Sequence, residues 1–323
     1  MARGRYRLRP ARLSGHLETL RPYDLVVTPV ITALGTALTA PAVQSGRLLL
    51  AAALGLTACA GALYTADYLT RHEDARTKPY RPIPSGRLRA ATARRCAVLL
   101  WLAAFVLATS ANWRSLLFLG LAVLAQDAYG RSLKGRGLWG DLAVGFSGWS
   151  CPLLAGACCA APWPPARLVA PALLLGLQGT FGNLLLALDD RPHDLRAGCR
   201  TLPVRHGPGR TRTVLTALAA TEYAGALLLP GRLGPATAPV FLLLAPAAAA
   251  TAAAVLGTVR RRPDRAVELH MYERVWLPAA LWALTGRTAV AVAVAAVSAG
   301  VLRLTSRPML RPEPYEKGGA IGA

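Results

Sequence analysis

Asp67 and Asp74 close one long apolar segment, and Lys78-Pro79-Tyr80-Arg81-Pro82-Ile83-Pro84-Ser85-Gly86-Arg87 follows directly. Asp190 and Asp194 close another, trailed by Arg200-Thr201-Leu202-Pro203. A carboxylate at the end of a membrane-length helix is costly to desolvate, so each is a functional candidate. Residues seven apart on an α-helix point within about 20° of one another. Asp67 and Asp74 therefore share a face, with Thr70 beside it, and Asp190 and Asp194 are neighbours four apart. Carboxylates clustered in a low dielectric repel one another unless a cation neutralises them. Hard oxygen ligands suit Mg²⁺, which takes one or two carboxylates and completes its shell with phosphate oxygens and water. Lys78, Arg81, Arg131, Lys134, Arg200 and Arg205 lie close enough in sequence to hold the remaining phosphate charge, arginine as a bidentate fork. The chemistry implied is a divalent metal gripping a polyphosphate.

Elements long enough to bury such acids recur along the chain. Of its 323 residues 54% are hydrophobic and 16% charged, against about a quarter charged in soluble domains. Apolar runs of bilayer-crossing length fall near 25–42, 47–70, 92–110, 113–131, 139–160, 167–189, 211–230, 236–258 and 285–304. This predicts an all-α membrane protein of about nine transmembrane helices. Segment 266–284 is mixed: it carries Glu268, His270, Glu273 and Arg274 before turning apolar, and reads as an interfacial helix or the first part of a split last span. The expected organisation is a basic tail over 1–22, one membrane domain over 23–305 and a disordered tail over 306–323.

The net charge of +21 would suggest nucleic acid in a soluble protein. Here the cations fall between apolar segments, so topology and anionic ligands explain them and no nucleic acid is expected. The links near 43–46, 111–112, 162–166 and 231–235 are nearly uncharged, whereas the others are basic. The positive-inside rule puts the N-terminus, the basic links and both acidic motifs in the cytoplasm. No cleavable leader is visible, and the first 22 residues lack an apolar core. The six cysteines form no CxxC pair and read as small core residues. Usage rich in Ala, Leu, Arg and Gly points to a bacterial cytoplasmic membrane.

The stretch Ala66-Asp67-Tyr68-Leu69-Thr70-Arg71-His72-Glu73-Asp74, continued by Lys78 to Arg87, resembles the first signature of the UbiA superfamily of intramembrane prenyltransferases. Asp190 to Asp194, with Gly198-Cys199-Arg200-Thr201-Leu202-Pro203, resembles the second. Tyr129, Lys134 and Gly140-Asp141 are similar to the segment between them. The resemblance implies a nine-helix bundle around a central, lipid-open cavity in which Mg²⁺ and an isoprenyl diphosphate bind. Carried over, it makes Asp67, Asp74, Asp190 and Asp194 the catalytic metal ligands, and Lys78, Arg81, Lys134, Arg200 and Tyr129 the diphosphate-binding residues. The sequence departs from the pattern at Ala66 and Asp141, where asparagines are expected, and at Thr70 and Leu186, where acids are expected.

The resemblance implies Mg²⁺-dependent transfer of a prenyl group to an aromatic or other lipophilic acceptor. A terpene cyclase on the same scaffold, with no acceptor, is the alternative, and a non-enzymatic binder of anionic lipid is a second.

Overall fold

The computed structural model describes residues 11–309 except 41, 43, 197, 235, 236, 261 and 262. The ends of both expected tails, 1–10 and 310–323, lie outside the described residues. Among the described residues every regular element is helical. The chain runs α1 (Ala11–Leu20), α2 (Pro22–Leu25), α3 (Val27–Thr39), α4 (Ser45–Thr77), α5 (Ala90–Ala111), α6 (Ser115–Ala128) and α7 (Leu138–Gly145). It continues through α8 (Cys151–Ala157), α9 (Val169–Asp189), α10 (Arg191–Arg196), α11 (Leu202–Leu227), α12 (Ala238–Val259), α13 (Pro263–Ala283) and α14 (Thr288–Met309). The inner part of the expected N-terminal tail is thus helical.

Among the described residues five helices are long and apolar enough to cross a bilayer: those over Ser45–Arg76, Ala90–Ala111, Ala166–Asp189, Ala238–Val259 and Thr288–Thr305. With the family assignment made below, they define an integral membrane protein. The other expected spans are interrupted, so the count of nine does not follow from helix length. The run at 113–131 is α6 continued by a π turn over Tyr129–Leu133, and 139–160 is α7 and α8 joined by another over Phe146–Ser150. The run at 211–230 is the outer part of α11, which kinks at Gly207 (φ 77°) and Pro208.

Segment 266–284 is α13, a mostly buried helix. Most of α13 packs inside the bundle against α12, α9 and α3, and its acid and imidazole are buried with partners. Gln178 Nε2 donates to Glu273 Oε1 at 2.5 Å, and His270 Nδ1 lies 2.6 Å from Glu273 Oε2. Polar residues paired across helices can be carried in a core that rejects them singly.

Glycines let the backbones approach. A Cβ on Gly35 would meet the Leu153 carbonyl oxygen at 1.9 Å, and one on Gly156 would meet that of Thr32 at 1.8 Å. The hydroxyl of Thr36 donates to the Gly156 carbonyl at 2.7 Å across the same seam, which locks α3 against α8. The uncharged links gather at one end, where Asn112 Nδ2 reaches the carbonyls of Cys158, Ala161 and Pro162 at 3.1 Å each. The basic links after α4, α6 and α9 meet at the other.

Candidate active site

At that basic end the C-terminal turns of α4 and α9 face each other across a cavity of about 250 Å³. Helix α4 stops at Thr77 because Lys78 precedes Pro79, and a residue before proline is disfavoured in the helical region. The loop then folds on itself. The Ser85 hydroxyl donates to the Arg81 carbonyl at 2.7 Å, Leu88 N–H to the Pro82 carbonyl at 2.9 Å, and Gly86 supplies the left-handed turn at φ 77°. This geometry returns Lys78 and Arg81 to the mouth of the cavity. On the opposite side Asp194 N–H bonds the Asp190 carbonyl at 2.9 Å, so Pro192 does not break the turn that carries both acids. Thr201 Oγ1 then donates to Asp194 Oδ2 at 3.0 Å.

Asp74, Asp190, Asp194, Lys78, Arg81, Lys134 and Tyr129 all line this cavity. Arg81 Nη1 lies 3.2 Å from Asp74 Oδ2, Lys78 Nζ 3.5 Å from Asp190 Oδ2, and Lys134 Nζ 3.5 Å from Glu73 Oε1. Burial draws the Lys134 ammonium down, but Glu73 and further acidic groups outweigh it and hold the group above its usual range. Burial pushes the Cys199 thiol up.

Two predicted residues stand apart. Asp67 is buried one to two turns deeper on α4, is not among the lining residues, and accepts from Arg21 Nη2 at 2.7 Å. Arg200 is exposed and also outside the lining, although its neighbours Cys199 and Thr201 belong to it. Two of the departures from the acidic signatures are placed: Thr70 and Leu186 line the cavity. Thr70 Oγ1 donates to Asp74 Oδ2 at 2.8 Å and so orients the acid that remains. Asp141 is buried beside the cavity and accepts from Asn183 Nδ2 at 2.7 Å.

Sequence reasoning missed Asn183 and Arg21. Asn183 lines the cavity seven residues before Asp190, a spacing that puts both on one face of α9. Arg21 was masked by its basic, proline-flanked surroundings.

The donor set fits Mg²⁺. Three aspartates and Glu73 offer hard oxygens on one cavity. Among the described residues no three His, Cys, Asp or Glu side chains enclose a metal unaided. Mg²⁺ keeps few protein ligands and completes its shell with phosphate oxygens and water. Asp74, Asp190 and Asp194 are the residues that could hold it, with Lys78, Arg81 and Lys134 paired to acids on the same cavity.

An all-helical membrane bundle with a carboxylate-and-cation cavity at one end is the architecture defined so far. A sequence profile of the UbiA prenyltransferase family matches residues 26–272, and the chain belongs to that family. It is 30% identical over 237 residues to the digeranylgeranylglyceryl phosphate synthase of Methanopyrus kandleri, covering 73% of this chain and 86% of that protein. It is 30% identical over 222 residues to the synthase of the same name from Ignicoccus hospitalis, covering 67% and 72%. A UbiA homologue from Aeropyrum pernix superposes with a TM-score of 0.71 at 15% identity, over 80% of this chain and 97% of that one. One from Archaeoglobus fulgidus, bound to GPP and Mg²⁺, superposes at 0.61 and 14% identity, over 84% and 99%. The relatives are mostly archaeal and lend nothing to the bacterial origin expected from composition.

Proposed function

We propose that this protein ionises an isoprenyl diphosphate in the cavity, with Mg²⁺ as cofactor, and transfers the prenyl group to a lipid acceptor. The observation that carries this is the meeting of Asp74, Asp190 and Asp194 with Lys78, Arg81 and Lys134 around one cavity at the end of an apolar bundle. The cations Lys78 and Lys134 sit 3.5 Å from their carboxylates, and a diphosphate can replace such loose contacts.

Lys78, Arg81 and Lys134 bind the diphosphate and stabilise the charge that grows on it as its bond to the prenyl C1 breaks. Bound Mg²⁺ supplies Lewis-acid neutralisation of the same leaving group. Leu186 and Ala187 give the prenyl chain an apolar wall beside the acids. Water must be kept from the cavity, because it would quench an allylic cation to an alcohol. A hydroxyl oxygen of the acceptor then forms the new bond to C1 and releases its proton, while pyrophosphate leaves.

The names of the curated relatives support a glycerophosphate lipid as the acceptor class. They give no support to the aromatic acceptor expected from the sequence. Tyr129 is the one aromatic side chain among the described residues lining this end of the cavity. The gathering of basic links at the cavity end supports a cytoplasmic site.

The test is to incubate membranes holding the protein with Mg²⁺ and geranyl, farnesyl or geranylgeranyl diphosphate, with and without a prenylglyceryl phosphate. Pyrophosphate release that requires the acceptor is expected, and EDTA should abolish it. A hydrocarbon formed without acceptor would replace transfer by cyclisation.

A further inference from the structure

Arg21 is the one non-glycine residue with positive φ among the described residues, at φ 42° and ψ 75°. A left-handed backbone is disfavoured for any residue with a Cβ, and such outliers persist where the surroundings over-determine them. The surroundings here do so. His16 Nδ1 and the Tyr64 hydroxyl are 2.6 Å apart, Glu18 pairs with Arg87, and Gly15 sits against the Arg87 backbone. Helix α1 is thereby fixed to both α4 and the loop that carries Lys78 and Arg81. Pro22 then starts α2, and the turn between the two helices aims the Arg21 guanidinium at Asp67.

Asp67 is 4% exposed and has two cations within reach: Arg21 Nη2 at 2.7 Å and Arg81 Nη1 at 3.7 Å. Arg81 in turn lies 3.2 Å from Asp74 Oδ2. One guanidinium thus stands between two acids on the same face of α4, and only one of those acids has a second cation. We propose that Arg21 is a positioning residue. It satisfies Asp67, so that Arg81 stays on the Asp74 side at the diphosphate subsite, and Asp67 serves as its anchor and not as a metal ligand. Without Arg21 a buried, uncompensated carboxylate would draw Arg81 inward and away from the cavity. This rests on the cavity being the donor diphosphate site.

The experiment uses the full chain in nanodiscs and measures equilibrium binding of geranyl thiolodiphosphate, which does not ionise. It also measures the Mg²⁺ concentration that half-saturates this binding, prenyl turnover and Tm. Arg21→Met should weaken analogue binding about 10- to 100-fold, the range that a charge-assisted hydrogen bond commands. Its Mg²⁺ half-saturation should stay within about twofold, well short of the effect expected on losing a metal contact. Arg21→Lys, which keeps the charge, should retain most of the affinity. Arg21→Met combined with Asp67→Asn should recover most of the loss, because the carboxylate that competes for Arg81 is gone.

Asp67→Asn raising the Mg²⁺ requirement in both backgrounds would make Asp67 a metal ligand and overturn the inference. A double variant as weak as Arg21→Met, or an Arg21→Met that lowers Tm with analogue affinity intact, would reduce Arg21 to a structural role. If Arg21→Met alone does not fold, the double variant and Arg21→Lys decide between the same outcomes. Wild type that fails to bind the analogue overturns the donor site itself, and the inference with it.

Discussion

Thr70 stands where the first acidic signature of the family has an acid, and its hydroxyl is committed to Asp74 and to the Ala66 carbonyl at 3.0 Å. The first motif therefore offers the cavity Asp74 and Glu73. Thr70→Asp adds a carboxylate one turn from Asp74 on the cavity wall. It should lower the Mg²⁺ concentration needed for half-maximal turnover while keeping or raising the rate, read by pyrophosphate release at varied Mg²⁺. A changed product would mean that threonine marks a different reaction. Asp74→Ala and Asp194→Ala should each lower kcat by about 10²–10³, the scale of a lost charge-stabilising contact, while the protein still appears in the membrane fraction. Full turnover in either variant would remove that residue from the site. Most of these residues were legible in the sequence because each lies within one or two helical turns of its motif. Asp67 shared the face of Asp74 by helical geometry, and its pairing with Arg21, 46 residues away, is visible only in the fold.

At the scale of elements, the site is held by helices that touch through small residues. In a membrane such contacts rest on packing and interhelical hydrogen bonds, since lipid tails are as apolar as the side chains they would replace. Gly156→Leu would drive a side chain into the Thr32 carbonyl of α3 and should cost about 1–3 kcal/mol or more through overpacking. The measurement is Tm in detergent, with Gly148→Leu, where a Cβ meets nothing within 4 Å, as the unaffected control. A fall confined to the control would discard the seam between α3 and α8 as a stability determinant. Hydropathy located most of these helices but left α13 open between two readings. A period-based reading weighs Glu273 and His270 as charges seeking water, and it cannot see that Gln178 waits for them on α9.

At the scale of the whole molecule, the uncharged and basic links segregate to opposite ends, and the cavity opens at the basic end. Cys199 lies on that cavity outside the membrane spans, half-buried, with its thiol raised above the usual range by burial. A raised thiol pKa leaves less thiolate at neutral pH, and reactivity grows as pH rises toward it. A membrane-impermeant maleimide should therefore label Cys199 slowly at pH 7 and faster at pH 9. In intact cells it should do so only after permeabilisation, and geranyl diphosphate with Mg²⁺ should protect it. Cys199→Ser is the blank. Labelling of intact cells would place the cavity on the outer side and reverse the topology inferred from the basic links.

Local chemistry is what the amino-acid order alone determined. Apolar length set the spans, helical spacing put acids on shared faces, and proline and glycine marked where the chain turns back over them. These properties depend on neighbours within about two turns of helix. The partners were decided by packing: which carboxylates meet across α4 and α9, which cation occupies Asp67, and why Arg200 faces away while Asn183 faces in. Those contacts join residues 46 to 112 positions apart, as Arg21 with Asp67 and Lys78 with Asp190 do, and no periodicity in the chain encodes them.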